Sequence, residues 1–178
     1  MNILIIDDQP DVVDGMLSGI HWAELQIKDT FYAYDIIHAK EIIKENTINI
    51  MLCDIEMPLG SGLELYEWVA EFYPDIKCIF LTSHEDFSYA QKALRLGSFD
   101  YLIQPAPYTA IETAIKKASI LIKQEQKQKQ YSIYKCFTTS WNSIIFMHMG
   151  FLNKSMIFMS FRLLPVQWNV CTNYLILQ

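Results

Sequence analysis

The 178-residue sequence is poor in cysteine, and its four cysteines lack the spacing of a metal or disulfide framework. Cys53, Cys78, Cys136 and Cys171 lie far apart and form no CxxC pair. This spacing argues against both a disulfide scaffold and a zinc ribbon. A basic stretch before the first apolar segment, which an ordinary secretory signal needs, is also missing. These absences predict a protein of the reducing cytoplasm.

Acidic side chains are missing from the last part of the chain. All 20 Asp and Glu residues lie at or before Glu125. Residues 1–130 carry 11 Lys and Arg, which gives this part a net charge of −9, whereas residues 131–178 carry three basic residues and a charge of +3. The acidic balance argues against duplex DNA binding by residues 1–130. An apolar fraction of 52% provides a sizeable core and excludes global disorder.

Short apolar runs alternate with helical patterns over the first 125 residues. Strand patterns occur at 3–6, 31–34, 48–53, 76–81 and 101–103, and each is followed by apolar residues at helical spacing. The first helix is predicted to begin at Pro10, and the last to run from about 111 to 122 into a Gln/Lys stretch. Five successive βα units predict a parallel sheet with helices on both faces.

Polar residues stand where the predicted strands end. In parallel α/β sheets, ligands bind at the carboxyl ends of the strands. If the first and third strands are neighbours, three carboxylates converge there and raise one another's pKa values. A hard cation such as Mg²⁺ would use this cluster, and a carboxylate beside it can attack phosphorus. The alternative is that the first two carboxylates cap a helix and the third caps a turn. The strand-end residues are Asp7, Asp8, Asp54, Thr82, Ser83 and Gln104.

Four motifs occur in a family-specific order. They are Ile-Ile-Asp-Asp at 5–8, Cys-Asp-Ile-Glu-Met-Pro at 53–58 with Gly60 and Gly62 following, Leu-Thr-Ser at 81–83, and Asp-Tyr-Leu-Ile-Gln-Pro at 100–105. In these motifs the chain resembles the response-regulator receiver domains of two-component signalling, from residue 2 to about 125. Residues 87–102 look most like receivers attached to AraC-type DNA-binding domains.

The resemblance implies a flavodoxin-like fold, a five-stranded parallel sheet of order 2-1-3-4-5 with five helices. It implies that Asp54 is the phosphoryl acceptor and also a ligand of the Mg²⁺ cofactor. Asp8 would ligate Mg²⁺ directly and Asp7 directly or through water. The backbone carbonyl of Glu56 would be a further ligand. The domain would be a signalling switch that catalyses its own phosphorylation, rather than a metabolic enzyme.

The resemblance also implies how the switch is read out. The hydroxyl of Thr82 would reach the aspartyl phosphate, and Tyr101 would swing inward when Thr82 moves. The output face would be residues 84–125, through which a homodimer could form. The phosphoryl donor would be the phosphohistidine of a sensor histidine kinase. DNA would be contacted only through an effector that this chain does not contain.

Gln104 departs from the family pattern, which has lysine at this position. Glutamine offers a neutral amide where lysine offers a full positive charge to the phosphoryl group. This departure leaves open an alternative, a phosphate-independent interaction or dimerisation module. A Mg²⁺-dependent phosphohydrolase with Asp54 as nucleophile is disfavoured, because Glu56 stands where such enzymes carry a second aspartate.

The sequence predicts a receiver domain over 1–125, followed by a linker helix extension and a truncated or aberrant tail over 126–178. A shifted reading frame would explain the abrupt loss of acids. A membrane segment at 144–164 is disfavoured because Lys154 lies in its middle. A lysine at the centre of a membrane helix costs roughly 2.5–3.5 kcal/mol on insertion.

Overall fold

The computed structural model describes residues 1–83 and 87–149, with side chains described for 1–83 and 88–135. The chain divides into two units, Met1–Gln126 and Lys127–Gln178. The strands are β1 Asn2–Ile6, β2 Asp29–Ala33, β3 Ile50–Asp54, β4 Lys77–Thr82 and β5 Asp100–Ile103. The helices are α1 Pro10–Gly19, α2 Ile36–Glu45, α3 Gly62–Phe72, α4 Phe87–Arg95 and α5 Tyr108–Met149.

The five strands form one parallel sheet in the order β2-β1-β3-β4-β5. This is the flavodoxin-like order that the family resemblance implies, so the predicted fold class is confirmed. The register pairs Ile6 with Cys53, Asp54 with Leu81, and Thr82 with Ile103. The carboxyl ends of β1, β3, β4 and β5 therefore lie side by side, and we call this border of the sheet the carboxyl edge.

Two apolar clusters sandwich the sheet, because successive side chains of a strand point to opposite faces. Leu4 and Ile6 of β1 belong to one cluster, with residues of α2, α3 and α4. Ile3 and Ile5 belong to the other, with residues of α1 and α5. All five residues of β3 are buried. A strand covered on both faces reads as a continuous apolar run, which is why β1, β3 and β4 were predictable.

Helix α5 is longer than the predicted helix at 111–122. It spans 42 residues and continues through the Gln/Lys stretch to Met149. Residues 108–149 contain neither glycine nor proline, and Gln, Lys and Glu are good helix formers. The residues that break helices are therefore absent even where apolar periodicity fades. No helix within the described part of the chain is long and apolar enough to cross a membrane; most of 144–164 lies outside it.

Candidate functional site

Asp7 follows β1 directly, and two hydrogen bonds fix its position. Its N–H donates to the carbonyl of Ala33 at 3.2 Å, and its Oδ1 accepts from the N–H of Gln9 at 2.9 Å. The N-cap position of α1 is Gln9, with no side-chain cap hydrogen bond, and Pro10 opens the helix. The interpretation of Asp7 and Asp8 as helix caps is therefore wrong.

Asp54 is the last residue of β3 and its side chain is 8% exposed. Burial is the largest cause that raises the pKa of its carboxyl to about 6, and the charge of Asp7 comes next. Asp8 raises the pKa further, whereas the backbone amides of Ile55 and Glu56 lower it. The structure thus brings Asp7, Asp8 and Asp54 into one electrostatic unit at the carboxyl edge.

Opposing effects also act on the pKa of Asp7, and their net result is an increase. Burial raises the pKa of its carboxyl, the N–H of Gln9 opposes this, and the charge of Asp8 adds to it. Two buried carboxylates that repel each other, with a third beside them, make ionisation costly without a counter-charge. A bound cation would supply that counter-charge.

The groups at this edge that could bind a metal ion are carboxylates and main-chain carbonyls. All of them coordinate through oxygen, which suits a hard divalent cation. Within the described residues, however, no group of three or more His, Cys, Asp or Glu side chains is arranged to hold a metal ion by itself. Mg²⁺ does not need such a cage, since it binds through one or two carboxylates and keeps waters or phosphate oxygens as its other ligands. The residues fit Mg²⁺ in that mode. The Glu56 carbonyl as a ligand stays a prediction.

Thr82 and Gln104 meet at the other end of the carboxyl edge. Thr82 closes β4 and is fully buried. Its carbonyl accepts from the N–H of Gln104 at 2.7 Å. The Gln104–Pro105 peptide bond is cis, and the Gln104 side chain is half-buried. Gln104, which stands at the position of the family lysine, is therefore hydrogen-bonded to Thr82 through the main chain.

Tyr101 occupies the second position of β5 and is half-buried. It is paired in register with Phe80 and packs against the cluster that contains Phe80 and Met51. This environment suits an ordinary strand aromatic as well as the resting position of a switch residue. The switch role of Tyr101 stays a prediction.

An open cleft of about 520 Å³ includes one of the three carboxylates, Asp8, in its lining. Acidic residues from three segments and a half-buried tyrosine of α4 line it. The sequence analysis did not single out two of these residues, Glu64 and Tyr89, as candidate site residues. The lining includes Asp8, Glu56, Met57, Pro58, Glu64 and Tyr89.

The doubly wound sheet with carboxylates at its carboxyl edge defines a class of α/β domain, and comparison with known proteins identifies the family. Residues 3–116 match the response regulator receiver domain. The chain belongs to the response-regulator receiver family.

Solved structures that resemble this chain include two from AraC-type regulators. A two-component transcriptional regulator AraC from Clostridium phytofermentans is 30% identical, with 72% of this chain and 98% of that one covered and a TM-score of 0.65. The receiver domain of AraT, a response regulator from Geobacillus stearothermophilus, is also 30% identical, with 70% and 97% covered and a TM-score of 0.65. The likeness to receivers of AraC-type regulators is thereby confirmed.

Among curated proteins, the chain is 25% identical over 134 residues to the transcriptional regulatory protein HptR of Staphylococcus aureus. That match covers 75% of this chain and 52% of HptR. An uncharacterized response regulatory protein of Staphylococcus epidermidis is 26% identical over 110 residues, with 62% and 43% covered. The chain spans about half the length of the curated relatives that it matches.

Proposed function

We propose that this chain is a phosphorylatable receiver whose Asp54 accepts a phosphoryl group from the phosphohistidine of a sensor histidine kinase. The observation that carries the proposal is the placement of Asp54. It ends a fully buried strand and lies beside Asp7 and Asp8, with its carboxyl pKa raised to about 6. Such a cluster is costly unless a cation and a charged substrate use it.

The reaction requires little covalent chemistry from the protein. A carboxylate oxygen of Asp54 attacks phosphorus in line, the phosphorus–nitrogen bond of the donor breaks, and the leaving imidazole takes up a proton. Asp8 and Asp7 would hold Mg²⁺, with the Glu56 carbonyl as a further ligand. The ion would supply positive charge to the phosphoryl oxygens.

The phosphoryl group is read out at the β4–β5 side of the sheet. Thr82 offers its hydroxyl to the phosphoryl oxygens, and Tyr101 changes position in response. These movements alter the surface of 84–125, part of which lies within the described residues. That surface controls dimerisation or a DNA-binding effector, and the receiver itself does not contact DNA. The protein works in the cytoplasm as a transcriptional switch.

The test is the intact mass of the full chain after incubation with acetyl phosphate and Mg²⁺. We expect one added phosphoryl group. It should be absent from Asp54→Asn and absent when Mg²⁺ is chelated. An adduct that persists in Asp54→Asn would refute Asp54 as the acceptor. A folded wild-type protein that gains no phosphoryl group, even from a competent histidine kinase, would refute the proposal as a whole.

A phosphate-independent interaction module is the second candidate, and the observation that favours it is Gln104. This residue supplies an uncharged side chain at the position of the family lysine, so a bound phosphoryl group would gain less stabilisation. If the chain is such a module, dimerisation or partner binding should be the same with and without Mg²⁺ and phosphoryl donor. If it is a phosphorylatable receiver, Mg²⁺ and donor should change dimerisation or partner binding, and Asp54→Asn should abolish that change.

A further inference from the structure

A buried thiol contacts the main chain of Asp54. Cys53 is fully buried in the core cluster. Its Sγ donates a hydrogen bond to the main-chain carbonyl of Asp54 at 3.1 Å. Cys53 ends the predicted strand at 48–53, where a buried side chain is expected of a core residue. The hydrogen bond gives this side chain a second property.

The same carbonyl faces the start of α3 at Gly62. A Cβ built on Gly62 would lie 2.0 Å from the Asp54 carbonyl oxygen and 2.8 Å from the Cys53 Sγ. The N–H of Gly62 donates to the carbonyl of Ile55 at 2.9 Å. Thiol and helix start together hold two consecutive carbonyls, those of Asp54 and Ile55.

Holding the Asp54 carbonyl also directs a hydrogen-bond donor. The carbonyl of Asp54 and the N–H of Ile55 belong to one planar peptide unit, so fixing the oxygen fixes the direction of the N–H. That N–H interacts with the Asp54 side-chain carboxylate. The thiol and the carboxylate are thus connected through a single rigid group.

We propose that Cys53 is a positioning residue for phosphoryl transfer, whose thiol holds the peptide between residues 54 and 55 so that the Ile55 N–H orients the Asp54 carboxylate. The inference rests on the proposed function, because it assumes that Asp54 is the nucleophile. Small displacements of a reacting group reduce rates, since in-line attack requires a near-attack geometry. Loss of the thiol therefore slows phosphorylation.

The test compares three variants of the full chain. Cys53→Ala removes the donor, Cys53→Ser keeps a donor, and Cys78→Ala is the matched control. Cys78 is equally buried in the same cluster on the neighbouring strand, where it pairs in register with Met51 and not with Asp54. Rates of phosphorylation by acetyl phosphate, followed by intact mass at several Mg²⁺ concentrations, are measured beside the Ile55 amide resonance by NMR.

We expect Cys53→Ala to phosphorylate about threefold to tenfold more slowly, the range for losing one hydrogen bond. The half-saturating Mg²⁺ concentration should stay unchanged. Cys53→Ser should recover most of the rate, and Cys78→Ala should keep it despite a similar cavity. The Ile55 resonance should move in Cys53→Ala and less in Cys53→Ser and Cys78→Ala.

Equal rates in Cys53→Ala and Cys78→Ala, or failure of Cys53→Ser to recover the rate, would overturn the positioning role. The NMR measurement keeps the two proposals distinguishable. If the wild type accepts no phosphoryl group, the proposed function fails. In that case, an Ile55 resonance unmoved by Cys53→Ala would separately refute the hydrogen-bonded arrangement.

Discussion

The carboxyl edge of the sheet has two dissimilar halves. The β1–β3 half carries Asp7 and Asp54 on central strands that pair with neighbours on both sides. The β4–β5 half ends at an edge strand, where the residues of β5 are half-buried or exposed. Ile103 is 47% exposed there, whereas Asp54 is 8% exposed.

Under the proposed function, the difference would separate phosphoryl transfer in the β1–β3 half from readout in the β4–β5 half. Phosphoryl transfer needs fixed positions for the nucleophile and for the charges around it, and buried central strands provide them. A readout needs a surface that can move and be contacted, and loosely covered edge elements meet that need. The two halves are joined by short links, among them the register pair of Asp54 with Leu81.

The largest effect on stability is expected from Gly62→Ala, a substitution that disturbs the packing of α3 against the β1–β3 half. The new Cβ would lie 2.0 Å from a main-chain oxygen of β3, so α3 must shift. We expect the free energy of unfolding to fall by about 2–3 kcal/mol, as for overpacking of a core. Urea unfolding measures it. Gly97→Ala is the control, because nothing lies within 4 Å of its Cβ and only its φ of +79° opposes the change. Equal losses in both variants would contradict the close approach.

The cost of the buried Asp54 charge gives the second prediction. A carboxyl whose pKa rises from 3.8 unfolded to about 6 folded penalises the fold once it ionises. The penalty is absent below the unfolded pKa, grows as pH rises between the two values, and is complete above about 6. Without Mg²⁺ at about pH 7.5, Asp54→Asn should therefore raise the free energy of unfolding by about 2 kcal/mol.

This gain should shrink towards zero as the pH approaches the unfolded pKa of 3.8, and saturating Mg²⁺ should also reduce it. Thermal or urea unfolding of both proteins across this range provides the measurement. A gain that is independent of pH would show that the Asp54 charge does not lower the free energy of unfolding.

In the readout half, Gln104→Lys should restore a charge-assisted contact. We expect phosphorylation, or its effect on assembly, to increase about tenfold, equivalent to about 1–2 kcal/mol. Gln104→Met is the matched control, since it removes the amide and adds no charge. Time courses by intact mass and oligomeric state by light scattering would measure the two effects. If neither responds to Gln104→Lys, the half-buried side chain takes no part in the switch.

The smallest effect should come from an ion pair outside both halves. His21 Nδ1 lies 2.9 Å from Glu112 Oε1. The hydrogen bond to Glu112 raises the pKa of His21, and hydrogen bonds from His21 lower the pKa of Glu112. The pair therefore stabilises most between the unfolded values of 4.5 and 6.5, and the contribution fades on both sides.

Glu112→Gln should lower the thermal midpoint slightly near pH 5.5 and less at about pH 8. Phosphorylation of Asp54 should be unchanged, because the pair joins α5 to the segment after α1 and lies away from the carboxyl edge. A marked change in the phosphorylation rate would mean that contacts outside the two halves of the carboxyl edge also affect phosphoryl transfer.

Central elements were more predictable than edge elements. β1, β3 and β4 are buried on both faces, so their apolar runs stand out in the sequence. β2 spans Asp29–Ala33, earlier than the predicted 31–34, because its exposed Tyr32 weakens the pattern. The sequence predicted a helix at 111–122 and a linker helix extension after it, but not that α5 runs unbroken to Met149. Periodicity reports packing against a core and not helix formation itself.

The site was predictable as far as strand ends determine it. The convergence of Asp7, Asp8 and Asp54 followed from parallel strands and from their neighbours in the sheet. The contacts of Cys53 and Gly62 with the Asp54 carbonyl did not follow, because they depend on how closely α3 approaches β3. Cys53 looked like an ordinary core residue, and nothing in its local sequence marks the carbonyl as its partner.

The most direct test compares Thr82→Ala with Asp54→Asn in one experiment. Each full-length variant is incubated with acetyl phosphate and Mg²⁺, then analysed by intact mass and by hydrogen exchange over 87–125. We expect that Thr82→Ala still acquires the phosphoryl group but loses the exchange response, whereas Asp54→Asn loses both. Loss of the adduct in a folded Thr82→Ala, or a normal exchange response without the threonine hydroxyl, would contradict the division into a chemical and a readout half.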